Sequence, residues 1–338
     1  MNKLPVFRTF GHAVGFTFAN FFTIFRLAWL PFAALLIAMF ALGLFAADIM
    51  TAGPLGKPMV DPFTIGEHIA QFVFLEVTLI LLQAIVIAAV AVSVHRVILF
   101  GDRRPGAYFN FAFGKTEFLY LTMGVLTAFI VIAIMGAVLT PAVFLAAHGD
   151  FAAFFARFED WPANMPDLAA SGALAPIMVA YSLGWLLVVY FMLRLAVWPP
   201  AVVATGRLSP AEAWRLTHGN VWRLIALFLL VSITLWLVVG LPVAAYWYQL
   251  ATHAGPMIQP GALAPEALQH ASDPAAVREL MRQAMDRQMQ ALQPYAPLFW
   301  FCYLLFYVFV TGLSVALISY SYKALKGYDA KEPIPLEG

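Results

Sequence analysis

The sequence has little charge and almost no cysteine. Charged residues make up 11% of its 338 residues, whereas soluble domains carry about a quarter. A soluble protein of this length needs a wettable surface, and a chain that is 63% hydrophobic cannot provide one. The single cysteine, Cys302, lies in an apolar run. A single cysteine excludes an intrachain disulfide, and we expect the thiol of Cys302 to be buried.

Motifs for catalysis and for metal or nucleotide binding are also missing. The seven histidines are scattered, and no H-E-x-x-H pair, phosphate-binding glycine loop, dinucleotide fingerprint or G-x-S-x-G is present. We therefore expect no cofactor, no metal site and no enzymatic activity. The formal net charge of +1 gives no reason to expect nucleic acid as a partner.

Long apolar runs are what the chain has instead. A helix needs about 20 apolar residues to cross the hydrocarbon core of a bilayer. Six runs meet this requirement, and together they predict an all-α integral membrane protein. They are Leu27–Ala47, Ala70–Val94, Leu119–Ala146, Pro176–Val197, Leu224–Tyr248 and Pro297–Ser319. Pro141 and Pro242, near the far ends of the third and fifth runs, are expected to kink or end those helices.

The distribution of basic residues predicts the orientation. The outer loops hold only five of the 19 lysines and arginines, namely Lys57, Arg157, Arg278, Arg282 and Arg287. The others lie near the termini and in the two connections on the same side, and that side is expected to be cytoplasmic. The chain is thus expected in the bacterial inner membrane with both termini in the cytoplasm. The long outer loop contains Val277, Met281 and Met285 at helical spacing, which predicts an amphipathic helix.

The sequence also resembles itself. The stretch from Gly101 to Gly114 aligns with Gly206 to Gly219 at an offset of 105, and residues 12–20 align with 212–220 at an offset of 200. Each unit is a short helix followed by two spans and a glycine turn. We predict three repeats with a common topology, 1–101, 102–206 and 207–327, and a tail at 328–338.

The short helix of each repeat is expected to lie at the cytoplasmic headgroups. In the third repeat Ser209, Pro210 and Glu212 predict a helix start with a capping box, and Gly219 suits a left-handed turn. Arginine and tryptophan side chains near these helices are the candidate interfacial lipid contacts. They are Arg103, Arg104, Trp214, Arg215, Trp222 and Arg223.

A second candidate site consists of polar residues inside the spans. Glu76 and Gln83 are seven residues apart in the second span, and Arg194 precedes Pro199 and Pro200 in the fourth. The double proline is expected to break that helix. Such residues suggest a functional site. Alternatively, Glu76 reaches water, and Arg194 snorkels to headgroups or pairs with Asp102, Glu117 or Glu212.

The stretches from Arg194 to Pro200 and from Gly206 to Arg223 carry a resemblance. They resemble uncharacterised bacterial polytopic inner-membrane proteins and are similar to the membrane domain fused to some glycerophosphodiester phosphodiesterases. The resemblance implies a multi-pass membrane domain. Because no catalytic domain is recognisable in the sequence, phosphodiesterase activity is not expected.

Three functions remain open. The first is a non-enzymatic membrane protein that organises lipid or a membrane partner complex, with membrane lipids as partners. The second is a transporter or channel with a site between the repeats. The third is a lipid-modifying membrane enzyme, for which the sequence offers no motif.

Overall fold

The computed structural model describes residues 2–51, 65–102, 113–147, 174–241, 243–244, 248 and 296–335. Within these residues the chain is helical and contains no strand, which confirms the all-α prediction. The main helices are α1 (Val6–Ala19), α2 (Phe21–Thr51), α3 (Ile65–Phe100), α4 (Lys115–Ala146), α5 (Leu174–Arg194), α6 (Trp198–Thr205), α7 (Pro210–Thr217), α8 (Val221–Leu235) and α9 (Ala296–Lys326). A π-helical turn (Trp236–Gly240) extends α8.

Six helical segments are long and apolar enough to cross a membrane, as the hydropathy pattern predicts. They are Phe21–Leu42, Val73–Phe100, Lys115–Ala146, Leu174–Thr205, Val221–Val238 and Trp300–Lys326. Many large apolar side chains on them are exposed, such as Phe129 and Leu186. Hydrocarbon tolerates this exposure, whereas water opposes it.

Glycine turns end the second, fourth and sixth spans. Gly101, Gly206 and Gly327 have φ angles of 67°, 64° and 83°, a left-handed conformation that side chains with a Cβ adopt only at a cost. Gly219, before α8, has the same conformation with φ 73°, as predicted. Its aligned residue Gly114 instead has φ −119°, because it starts α4 and donates its N–H to Glu117 Oε2 at 2.9 Å.

Proline has different effects in different spans. The fourth span is interrupted at residues 195–197 and resumes as α6, with Pro199 and Pro200 in the first turn, where a missing N–H is tolerated. This confirms the predicted break. Pro141 lies inside α4, which continues to Ala146. The helix therefore does not end at this proline, and the other predicted effect, a kink, stays a prediction. Pro242 and the predicted amphipathic helix of the outer loop lie outside the described residues.

The chain divides into two compact units. One comprises Met1–Leu227 and Gly312–Gly338, and the other comprises Phe228–Thr311. In the first unit the buried residues concentrate near the C-terminal ends of three spans, around residues 88–99, 193–203 and 313–325. In the second unit Cys302 is exposed, so the expectation of a buried thiol is wrong. The side chain lies on an outer surface of α9.

Candidate functional site

The polar residues predicted inside the spans do not form one site. Glu76 is exposed and Gln83 is half-buried on α3, whereas Arg194 is only 3% exposed at the end of α5. Glu76 lies about 36 Å of helix away from the C-terminal end of α3. Within the described part of the chain, no hydrogen bond or ion pair connects these three side chains.

Arg194 forms part of a joint between α5 and α7. Helix α5 ends at Arg194. The carbonyl of Arg194 lacks the usual helical partner, the N–H four residues later, because the N–H of Trp198 donates to Leu195 O instead. Thr217 Oγ1 fills the vacancy and donates to Arg194 O at 2.7 Å. Thr217 is fully buried. One side-chain hydroxyl thus satisfies a helix end that the proline break created.

The guanidinium of Arg194 is covered by an aromatic ring. Its Cζ lies 4.3 Å from the ring centroid of Trp214, a cation–π arrangement. Trp214 also contacts Tyr190 and Phe191, at centroid distances of 6.2 and 5.4 Å. Arg194 therefore does not extend into solvent, and Trp214, which covers it, is itself half-buried. Among the described residues Arg194 makes no ion pair.

Glu212 has a different partner from the one expected. Its carboxylate pairs with Lys326 Nζ at 2.6 Å, which connects α7 to the end of α9. Ser209 makes no side-chain capping bond at the start of α7, so the predicted capping box is wrong. The carboxylate of Glu212 thus pairs with a lysine that is distant in sequence, and Arg194 does not pair with Glu212.

Both termini meet at this same end of the first unit. The N–H of Leu4 donates to Asn220 Oδ1 at 2.9 Å, and Asn220 Nδ2 donates to Asn2 O at 3.2 Å. Asn2 Nδ2 in turn approaches Leu325 O at 3.5 Å. Because Asn220 is buried, its amide is committed to holding the N-terminal segment.

A buried lysine holds the C-terminal segment. Lys323 Nζ donates to the carbonyls of Ala330 and Glu332, at 3.0 and 2.5 Å. The N–H of Ile334 donates to Leu99 O at 2.7 Å, a carbonyl left free at the end of α3. The segment after Gly327 is therefore attached to two spans and closes the packed end of the unit.

Helix α1 packs along the last turns of α9. Asn2 lies beside Gly327, His12 and Phe16 contact Tyr320 at ring distances of 5.7 and 6.1 Å, and Thr17 approaches Gly312. Rising residue numbers in α1 thus meet falling numbers in α9, so the two helices run antiparallel. This contact depends on residues almost the whole chain apart.

The two faces of α1 have an inverted composition. Its buried residues are Thr9, Ala13 and Thr17, which are small and share one face. Phe7 and Phe18 point outward and are 81% and 60% exposed. Phe22, in the first turn of α2, is 85% exposed. We call Phe7, Phe18 and Phe22 the phenylalanine row.

The predicted interfacial contacts are partly accessible. Trp222 is 82% exposed, Arg215 is exposed and Arg223 is half-buried. They lie on α7 and at the first turn of α8. Arg103 and Arg104 lie outside the described residues.

Sequence reasoning missed a buried polar pair. His95 Nδ1 lies 2.7 Å from Ser319 Oγ, and both residues are fully buried. Ser319 donates its hydrogen to Val315 O at 2.7 Å, so His95 Nδ1 is the donor of the pair. His95 Nε2 is buried and has no hydrogen-bond partner among the residues that the structure describes, and the ring lies 5.9 Å from that of Tyr120. A histidine inside an apolar run was the available signal.

No known relative identifies this arrangement. The chain matches no protein-family model, no curated protein sequence and no solved structure. The resemblance to the membrane domain of glycerophosphodiester phosphodiesterases therefore stays a prediction. Across the described residues, no three histidine, cysteine, aspartate or glutamate side chains converge on a possible metal position.

Proposed function

We propose that this chain is a non-enzymatic protein of the bacterial inner membrane that organises phospholipids around its N-terminal helix. Both termini are placed in the cytoplasm, and α1 lies at the boundary between headgroups and acyl chains. The observation that carries the proposal is the inverted composition of α1. An apolar outer face and a small polar inner face suit a helix whose outside is lipid.

The energetic argument is simple. Removing a phenylalanine side chain from water contributes about 1.5–3 kcal/mol, and the three side chains of the phenylalanine row remain largely exposed. Acyl chains would cover them. The small inner residues Ala13 and Thr17 allow α1 to approach α9 closely, so the row is held on a fixed support.

The arginines add a preference for anionic lipid. Arg215 and Arg223 flank Trp222 at the start of an apolar span, and tryptophan with arginine at such a position is typical of the headgroup region. We therefore expect anionic phospholipids to be enriched beside α7 and α8. A membrane protein partner bound through the same surface belongs to the same proposal.

Three repeats remain part of the proposal. The left-handed glycines 101, 206 and 327 support the repeat boundaries. Thr17 and Thr217, which align at the offset of 200, are both fully buried, and their hydroxyl oxygens lie 2.8 and 2.9 Å from the carbonyl oxygen four residues earlier. Helix α1, which contains Thr17, packs on α9, the last span of the third repeat. Helix α7, which contains Thr217, packs on α5, part of the last span of the second repeat.

The test is lipid retention by the purified protein in mixed micelles of phosphatidylglycerol and phosphatidylethanolamine, measured by native mass spectrometry. We expect the double variant Phe7→Ala, Phe18→Ala to retain fewer lipids than wild type. The variant Arg215→Gln, Arg223→Gln should lose the excess of phosphatidylglycerol. Phe129→Ala, an exposed aromatic of α4, is the matched control and should retain the wild-type number. Equal losses in all three variants would refute the proposal.

A transporter or channel is the second candidate, because of His95. A buried histidine with an unpartnered nitrogen in a spanning segment suggests a proton pathway. In proteoliposomes containing a pH-sensitive dye, this function requires proton flux that His95→Gln abolishes. If the wild-type protein shows no proton flux, the transporter function is refuted and the lipid-organising function remains. No observation favours a lipid-modifying enzyme.

A further inference from the structure

A pocket of about 340 Å³ lies between α1, the end of α9 and the C-terminal segment. Lys3, Arg8, Thr9, His12, Tyr320 and Asp329 are among its lining residues. Its volume is within the range of small-ligand sites. The pocket is built from both ends of the chain, which the terminal hydrogen bonds of Asn2, Leu4 and Lys323 hold together.

The pocket has a positive electrostatic character. Lys3 and Arg8 contribute cations, and Asp329 contributes the acid. The pKa of Asp329 is lowered, first by the N–H of Lys331 donating to its carboxylate at 2.8 Å and further by Arg8, Lys323 and Lys331. These cations outnumber the acid, so an anion that enters the pocket is attracted by the cations more strongly than it is repelled by Asp329.

Arg8 is held in a defined position. Its Nε donates to His12 Nε2 at 3.4 Å, and His12 stacks on Tyr320 at 5.7 Å. The two terminal guanidinium nitrogens make no hydrogen bond within the described part of the chain. They remain available for the paired acceptors of a phosphate or carboxylate.

Thr9 is the second, independent observation. It is 2% exposed, and within the described part of the chain its hydroxyl has no hydrogen-bond partner. In Thr17, on the same face of α1, the hydroxyl donates to the carbonyl four residues earlier. A buried hydroxyl without a partner opposes folding. Thr9 is among the lining residues, and its buried hydroxyl would meet a ligand oxygen after the side chain turns toward the pocket.

We infer that this pocket binds a phosphate group, with Arg8 and Lys3 neutralising its charge and the Thr9 side chain turning to donate its hydroxyl hydrogen to one of the phosphate oxygens. The phosphate comes from a lipid headgroup or from a soluble phosphorylated compound. The three oxygens of a phosphate group can accept hydrogen bonds from Arg8, Lys3 and Thr9 together, whereas a carboxylate has only two oxygens. The pocket shares no residue with the phenylalanine row, so this inference does not depend on the proposed function.

The test is calorimetric titration of the full chain in detergent with inorganic phosphate and, separately, with dioctanoyl phosphatidic acid. Arg8→Gln should weaken binding by about tenfold or more, and Asp329→Asn should strengthen it. Thr9→Val should weaken binding while leaving the melting temperature of the free protein unchanged or higher, which separates a lost contact from misfolding. Arg207→Gln, an exposed arginine outside the pocket, is the matched control and should bind as wild type.

The two probes distinguish the sources. Binding of both probes indicates recognition of the phosphate group itself, and binding of the lipid alone indicates a headgroup site; either result supports the inference. Saturable binding of neither probe would overturn it, and so would equal weakening by Arg8→Gln and Arg207→Gln. The Phe7→Ala, Phe18→Ala variant should still bind phosphate, so failure of the lipid-organising function would be recognised separately.

Discussion

Replacing Thr217 with valine tests the joint between α5 and α7. The substitution preserves the shape of the side chain and removes the hydroxyl that donates to Arg194 O at 2.7 Å. No other described N–H bonds that carbonyl, because α5 is interrupted at the next residue. An unsatisfied buried carbonyl costs about 1–3 kcal/mol, so we expect Thr217→Val to lower the free energy of unfolding by this amount.

The aligned residue Thr17 provides the matched control. It is equally buried, and its hydroxyl donates only to Ala13 O at 2.8 Å. That carbonyl lies inside α1 and keeps its helical N–H partner when the hydroxyl is lost. Thr17→Val should therefore cost less than about 1 kcal/mol, although the chemical change is identical.

Equilibrium unfolding in mixed micelles with rising sodium dodecyl sulfate, followed by tryptophan fluorescence, measures both variants. Wild type, Thr17→Val and Thr217→Val are compared at the same lipid-to-detergent ratio. A loss for Thr217→Val that is no larger than the loss for Thr17→Val would refute the reasoning. The carbonyl of Arg194 would then accept a hydrogen bond from another donor.

Three further substitutions test packing, the C-terminal segment and the backbone. Gly184→Leu should destabilise the α4–α5 contact by about 1–3 kcal/mol in the same unfolding assay, because the branched end of leucine would extend beyond a Cβ position that already lies 2.8 Å from Met135 Sδ and 3.9 Å from Val138 Cβ. Lys323→Met should free the C-terminal segment, detected as faster carboxypeptidase digestion, because the carbonyl of Glu332 loses its donor. Gly206→Ala should lower stability by about 1–2 kcal/mol, since φ is 64° there and no neighbour crowds the site.

Each of these variants has a control in the chain. Gly124→Leu and Gly136→Ala place side chains on α4 where nothing lies within 4 Å of the new Cβ, so neither should be destabilising. Lys331→Met removes an exposed lysine side chain and should leave digestion unchanged. If a control behaves like its partner variant, the structural cause proposed for that variant is wrong.

The spans could be predicted because their cause is local. Apolar length alone determines whether a helix can cross a bilayer, and all six helices follow from it. The same holds for the left-handed glycines at 101, 206 and 327 and for the break before Pro199 and Pro200. In each case the residue type restricts the backbone without help from distant parts of the chain.

The contacts at the packed end could not be predicted, because their partners are distant in sequence. Glu212 suggested a local capping box, but Lys326 of α9 offers a full charge and takes the carboxylate. His95 and Ser319 lie 224 positions apart. His95 stands out in its apolar run, but only the packing of α3 on α9 identifies Ser319 as its partner.

The candidate site illustrates the same division. Trp214 and Trp222 were both predicted as lipid contacts, since both are tryptophans beside arginines. Trp214 packs against Phe191 and Arg194, whereas Trp222 is exposed. Composition identifies residues suited to an interface, but the helix faces that become buried depend on which spans are neighbours.

The most direct test of a lipid-facing α1 is the environment of its outer face. After replacement of Cys302 by alanine, nitroxide labels at positions 7 and 18, and at the exposed position 331 as a control, are examined by power-saturation electron paramagnetic resonance in nanodiscs. We expect the labels at 7 and 18 to be accessible to oxygen and protected from a water-soluble nickel complex, with the opposite pattern at 331. Labels at 7 and 18 that the nickel complex reaches as freely as position 331 would contradict the proposal that lipid covers the phenylalanine row.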